Sequence, residues 1–232
     1  MKRVIAVAAL FTLGISCSAQ FYFRAGMVAH HYNMRQYNEM IDSYNANNPW
    51  LTTQMPYQTW MYGPDIAMGK RIERTGGFEF SIRSGKGVIS SSGIDSTGAT
   101  VTRDVSTSET SFCAGLYINI LGGYIPLYMS FDGELAIWTN KSQINGEGFR
   151  KMDHGPTLII TPGLTYIPFR GWFSPVIHMY YAAPFLKAYQ EKLWQDLDPV
   201  GFSDTRKEDW WVNHGHFGIG VSFLIGKSIK DK

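Results

Sequence analysis

The histidines are the residues of this 232-residue chain best suited to chemistry. His30 and His31 are adjacent, His178 stands apart, and His214 and His216 flank Gly215. Side chains two residues apart in an extended segment point the same way, so His214 and His216 offer two imidazoles to a metal. A zinc site needs at least a third protein ligand, and none is evident beside this pair. A histidine base needs a nucleophile and an orienting acid, yet no serine stands at a recognisable spacing. The chain has no Gly-rich phosphate loop and only two cysteines, Cys17 and Cys113. These histidines therefore read as hydrogen-bonded structural residues, and no catalytic, cofactor-binding or metal residue is assigned.

A second group is electrostatic. Arg24, Arg71 and Arg83 occur with Glu79, Asp132 and Glu134 inside segments of alternating polarity. Eight such segments are predicted strands, at residues 21–32, 61–73, 77–91, 99–120, 125–139, 156–167, 171–182 and 211–225. In the last, Ile219, Val221, Phe223 and Ile225 alternate with Gly218, Gly220, Ser222 and Leu224. In the fifth, Leu127, Met129, Phe131, Leu135 and Ile137 alternate with Tyr128, Ser130, Asp132, Glu134 and Ala136. Period two makes a sheet with two different faces. The polar face is small, rich in Gly, Ser and Tyr, and carries both signs of charge, which suits ion pairing in a narrow closed interior. The opposite face is almost free of charge, with Lys70 near a strand end where it can snorkel. A soluble lipocalin-like barrel would turn its aliphatic face inward instead.

The connections sort by side. The spans 33–60, 140–155 and 184–209 are long, whereas 74–76, 121–124 and 168–170 are short. Short periplasmic turns with long outer loops are the habit of outer-membrane barrels. In that topology Phe21, Phe23, Tyr166, Trp172, Phe173 and Phe223 fall near the periplasmic rim, and Trp60, Tyr62, Trp138, Tyr180, Tyr181, Trp210 and Trp211 near the outer rim. Aromatic rings belong at both interfaces. The charged share of 17% is low beside roughly 25% for soluble domains. A net charge of +2 without a basic stripe gives no reason to expect a nucleic-acid partner, and none is assigned.

Residues 1–19 read as a signal peptide: Lys2 and Arg3, an apolar run, then Cys17-Ser18-Ala19 as the cleavage site. Acylation of Cys17 is the alternative. Cys113 is the one cysteine that certainly outlasts cleavage, so no intramolecular disulfide is expected. The fold class expected is all-β, an eight-stranded antiparallel up-and-down transmembrane barrel with long outer loops carrying short helices. Residues 20–226 form the barrel and 227–232 a short periplasmic tail.

The chain resembles the small outer-membrane barrels of the OmpA/OmpX type, and most of all the PorT-like barrel families of Bacteroidota. The carriers are Ser18-Ala19-Gln20, the strand Phe78-Glu79-Phe80-Ser81-Ile82 after Gly76-Gly77, and His216-Phe217-Gly218-Ile219-Gly220-Val221-Ser222-Phe223. That last stretch is similar to the terminal-strand signal read by the barrel assembly machinery. It departs from the pattern in that Phe223 is followed by residues 224–232. The resemblance implies an outer-membrane location in a Gram-negative bacterium.

An eight-stranded interior is just wide enough for its own side chains, so the charged cluster is expected to plug the lumen, with a gated ion path as the alternative. Function then falls to the outer loops. Helical periodicity puts Met34, Tyr37, Met40, Ile41 and Tyr44 on one face within 33–45, and Leu186, Tyr189, Leu193 and Leu197 on one face within 186–197, with Trp194 nearby. These faces either cap the mouth or meet a partner protein; the candidate contacts are Tyr37, Met40, Tyr44, Tyr189, Leu193 and Trp194. The Ser/Thr-rich hairpin at 87–110 is expected to protrude, offering an edge for strand addition or a solvated hairpin. The expected function is a non-enzymatic barrel working through its loops, as an accessory or structural subunit of a larger outer-membrane assembly. Its partners would be lipid and an outer-membrane protein, without a cofactor. The alternatives are an outer-leaflet lipid-modifying enzyme, which would lean on His178, and a soluble ligand-binding barrel.

Overall fold

The computed structural model describes residues 20–72, 75–121, 125–168, 172–203 and 205–226. The expected signal peptide at 1–19 with Cys17, parts of the three short turns, and the tail at 227–232 lie outside the described residues. The chain runs β1 (Gln20–Tyr32), α1 (Arg35–Asn47), β2 (Leu51–Thr53), β3 (Trp60–Ile72), β4 (Gly76–Ile94), β5 (Thr100–Asn119), β6 (Leu127–Ile144) and β7 (Arg150–Tyr166). It continues through β8 (Phe173–Pro184), β9 (Ala188–Tyr189), α2 (Glu191–Leu197), α3 (Pro199–Ser203), a 3-10 turn (Lys207–Trp210), β10 (Trp211–Val212) and β11 (His216–Gly226). Eight of these strands form one antiparallel ring, β1-β3-β4-β5-β6-β7-β8-β11, and the β1–β11 ladder closes it. Closure leaves no open edge, which a sheet surrounded by hydrocarbon requires.

Alternation places the two faces as expected. Outward side chains such as Met68 (62% exposed), Leu116 (62%), Phe80 (55%) and Val221 (53%) form a continuous apolar wall. A belt of this extent on a monomer in water would be an association hazard; in lipid it is solvated. Inward positions mix polar and small residues with a buried cluster of Tyr22, Tyr117, Tyr128, Val176 and Leu224, and the glycines of β11 have a steric reason. A Cβ on Gly218 would stand 2.1 Å from the Tyr180 ring and one on Gly220 2.2 Å from the His178 ring. Removing the side chain on β11 makes room for large rings from β8.

At one end Phe173 stacks on Phe223 at 5.2 Å and Lys70 lies 5.6 Å over the Phe21 ring. At the other Trp60 stacks on Tyr62 at 6.2 Å. Tyr181 and Trp211 also face outward there, but Trp138, Tyr180 and Trp210 are buried. Their assignment to the outer girdle is corrected. Trp138 shares the inward parity of Glu134 and Ala136, and Tyr180 that of His178.

Two hairpins rise past the membrane. β4 and β5 stay in register up to Ile94↔Thr100, as the 87–110 expectation implied. β6 and β7 also continue, with Ser142 opposite Arg150, so most of the expected outer loop at 140–155 is strand. Asn145, Gly146 and Gly148 take positive φ (49°, 75° and 101°) and turn the chain between them. The last barrel strand begins at His216 and not at 211, because Trp211–Val212 pairs separately with Ala188–Tyr189. β2 pairs with the upper part of β4, Leu51 opposite Gly93, which covers part of that protruding edge.

Candidate functional site

The lower lumen is built around Arg24 of β1, which is 4% exposed. Its Nη1 donates to Asp65 of β3 and, at 3.1 Å, to Ser222 Oγ of β11. Its Nη2 donates to Glu79 Oε1 of β4 at 2.7 Å, and Tyr22 Oη donates to the other Glu79 oxygen at 2.7 Å. One guanidinium thus ties four strands, which its planar fork of donors permits. His178 Nε2 stands 3.2 Å from Asp65.

Arg83 of β4 makes the second node. It donates to Asp132 at 2.5 Å, lies 3.9 Å from Glu134, and its Cζ sits 4.6 Å over the Tyr180 ring. Thr161 Oγ1 donates to Glu134 at 2.8 Å. Arg71 lies with Cζ 5.9 Å from the Tyr22 ring centroid. All six charged residues expected in the interior are there. Sequence reasoning missed Asp65, the carboxylate that meets Arg24, although it has the same parity as Arg71 in β3. The space left between these groups is about 40 Å³. At 10–15 Å³ or more per water, that admits a few waters.

Above the plug the same inward faces turn apolar. Tyr37, Met40, Ile41 and Tyr44 of α1 pack with Leu193, Trp194 and Leu197 of α2, Trp138 of β6 and Val212 of β10. The tyrosine hydroxyls of α1 find partners in the wall: Tyr37 Oη with Thr107 Oγ1 at 3.3 Å, Tyr44 Oη with Ser91 Oγ at 3.1 Å. Burial pushes the Tyr37 hydroxyl up to about 12. Asp153 of β7 accepts the Leu193 and Lys192 amides at 2.7 and 3.2 Å, capping the start of α2. Asp198 accepts from Ser43 at 2.5 Å and Asn47 at 3.0 Å, tying the outer loops together. His214, in the link between β10 and β11, lies 3.6 Å from the Trp138 ring, and burial pushes it down to about 3.

Five of the six expected partner contacts are therefore corrected. Tyr37, Met40, Tyr44, Leu193 and Trp194 are buried in this cap, and Tyr189 alone reaches the surface, at 37% exposure. The face expected at 186–197 also breaks up. Ala188 and Tyr189 are held extended by β10, so Leu186 (52% exposed) and Tyr189 do not share a helical face with Leu193. His178 lies in the lumen at 5% exposure, away from any headgroup. His30, Tyr32, Glu109 and His216 meet between plug and cap; of these, sequence reasoning did not find Tyr32 or Glu109.

No protein-family model matches the chain, and no curated protein sequence matches it. Solved structures do. Ail, the attachment invasion locus protein of Yersinia pestis, is similar over 89% of this chain and 99% of its own, with a TM-score of 0.50 and 12% identity. The structure of Ail in complex with the heparin analogue sucrose octasulfate gives the same coverage and TM-score at 10% identity. Neisserial surface protein A covers 90% of this chain at a TM-score of 0.41 and 12% identity. At such identities the likeness to Ail concerns the fold. Fold, closure and apolar belt together define an eight-stranded transmembrane β-barrel of the Gram-negative outer-membrane type.

Proposed function

We propose that this barrel is non-enzymatic and acts through its extracellular surface, as an accessory or structural subunit of a larger outer-membrane assembly. The filled lumen supports this reading: among the described residues, plug and cap occupy the interior. The surface that remains is the platform of β4 to β7 beyond the membrane and the apolar side chains around the mouth. Val200 of α3, in the outer loops, is 67% exposed, whereas Phe185 lies against Leu135 and Leu158 on the apolar outer wall.

A lipid-modifying enzyme is disfavoured by the position of His178, whose neighbours Asp65 and Arg24 lie beneath the cap. The sulfated-sugar ligand of Ail is not carried over, since exposed Lys141, Arg150 and Lys151 share the outer strands and loops with Glu147 and Asp95. The test is extraction of outer membranes in mild detergent with the tagged chain, followed by mass identification. A stoichiometric companion, lost on Val200→Glu, is expected. A chain that always runs alone, or a lipid profile that changes with the wild type and not with His178→Ala, would overturn the reading.

A further inference from the structure

Between the ionic plug and the apolar cap, three buried groups converge from different walls. His30 projects from β1, His216 from the start of β11, and Glu109 from β5, three strands away around the ring. Their exposures are 1%, 2% and 0%, and their ligating atoms all lie within 4.8 Å of one another. His30 Nδ1 and His216 Nε2 are 3.0 Å apart. Two imidazole nitrogens on one tetrahedral zinc, each at 2.0–2.1 Å, stand roughly 3.3 Å apart. The spacing is thus close to that of a shared ion.

Second contacts orient the donors. His216 Nδ1 lies 3.1 Å from the His214 carbonyl oxygen, to which it donates, so its Nε2 lone pair faces the cluster. This is the arrangement that metal-bound histidines use to set tautomer and ring angle. His30 Nε2 is buried without a hydrogen-bond partner, and Tyr180 Oη lies 3.3 Å from His30 Nδ1. Tyr32 Oη and Ser111 Oγ donate to the two Glu109 oxygens at 2.7 and 2.6 Å. Among the described residues no Lys or Arg lies within ion-pair distance of Glu109. A fully buried carboxylate without a cation is expensive. Arg24, Arg71 and Arg83 face Asp65, Glu79, Glu109, Asp132 and Glu134 in the lumen, so not every carboxylate there has a cation of its own.

We propose that His30, Glu109 and His216 bind one divalent transition-metal ion, zinc foremost, at the top of the lumen. Two imidazoles and a carboxylate form an established zinc donor set, and imidazole selects against magnesium and calcium. The ion staples the closing seam, β1 with β11, to β5 and supports the floor of the cap. A groove of about 500 Å³ at the outer rim, lined by His31, Asn33, Asn213 and His216, borders the cluster at His216.

The test uses the full chain purified in detergent, stripped with chelator, equilibrated with zinc alone and desalted before elemental analysis. About one zinc per chain and a raised Tm are expected. Glu109→Gln and His216→Gln should each weaken retention by more than about tenfold, while His154→Gln, an exposed histidine on β7, keeps it. Faster migration of unboiled samples on a gel verifies that each variant is folded. Cobalt substitution of the wild type gives a second reading that needs no variant: paramagnetically shifted ring protons from two histidines are expected. Folded wild type that retains no zinc, retention unchanged in Glu109→Gln, or a cobalt spectrum without histidine ligands would each overturn the site. In that case the cluster shares a proton where the ion was placed.

Discussion

The lower lumen and the mouth are closed in opposite ways by the same strands. Below, Arg24 and Arg83 bind carboxylates across the ring, and the filling is electrostatic. Above, α1 and α2 lower tyrosine, methionine, leucine and tryptophan side chains onto Trp138, and the filling is apolar. The difference follows from who supplies the partners. In the plug every partner comes from another barrel strand, so geometry is rigid and a guanidinium can be matched to fixed oxygens. In the cap the partners arrive on loops, and non-directional packing tolerates their less exact placement.

If the plug is ionic, Arg24→Leu should be the most damaging change. It strands Asp65, which is 0% exposed, and costs about 3–5 kcal/mol. Urea unfolding in detergent measures this, and adding Asp65→Asn should restore part of the loss. A loss below about 1 kcal/mol, of the order seen for surface pairs, would mean that the plug is packed and not charge-matched.

Leu193→Ala probes the cap. Leu193 is 0% exposed, and its truncation should cost about 3 kcal/mol. The loss should be local: amide exchange should rise in α1 and α2 while the β1–β11 ladder stays protected. Equal deprotection of both regions would erase the distinction drawn here.

The third effect is in pH. His214 sits at about 3 against an ordinary 6.5, so it stays neutral in the fold while the opened chain takes up a proton. Stability conferred by its neutral, buried state is complete above pH 6.5 and falls as the pH drops toward 3. At pH 5 the loss is roughly 2 kcal/mol. Protease susceptibility of the outer loops between pH 7 and 5 should rise, and His214→Gln should flatten the profile. An unchanged acid response in that variant would assign the sensitivity to other groups.

Much of the barrel was legible. Ile219, Val221, Phe223 and Ile225 declared β11 and its lipid face, and Arg24, Glu79, Arg83, Asp132 and Glu134 declared a polar interior, because alternation is a local property of a strand. Asp65 and Glu109 had the right parity too, but parity names a face and not a partner. Trp138 and Tyr180 were misplaced for a related reason: rim and interior differ by one residue in phase. The span 186–197 had helical spacing that a two-residue ladder with β10 overrode.

By itself the sequence determined the strand period, the charge-free outer face, the mixed charges within and the amphipathic α1, since each depends on neighbours along the chain. Tertiary structure alone decided that Arg24 meets Asp65, that α1 and α2 face inward, and that His30, Glu109 and His216 converge. Those three lie on strands 79 or more residues apart, by number, from 30 to 109 and from 109 to 216. Only the register of every ladder between them, summed around a closed ring, brings such residues to one level and one side of the lumen.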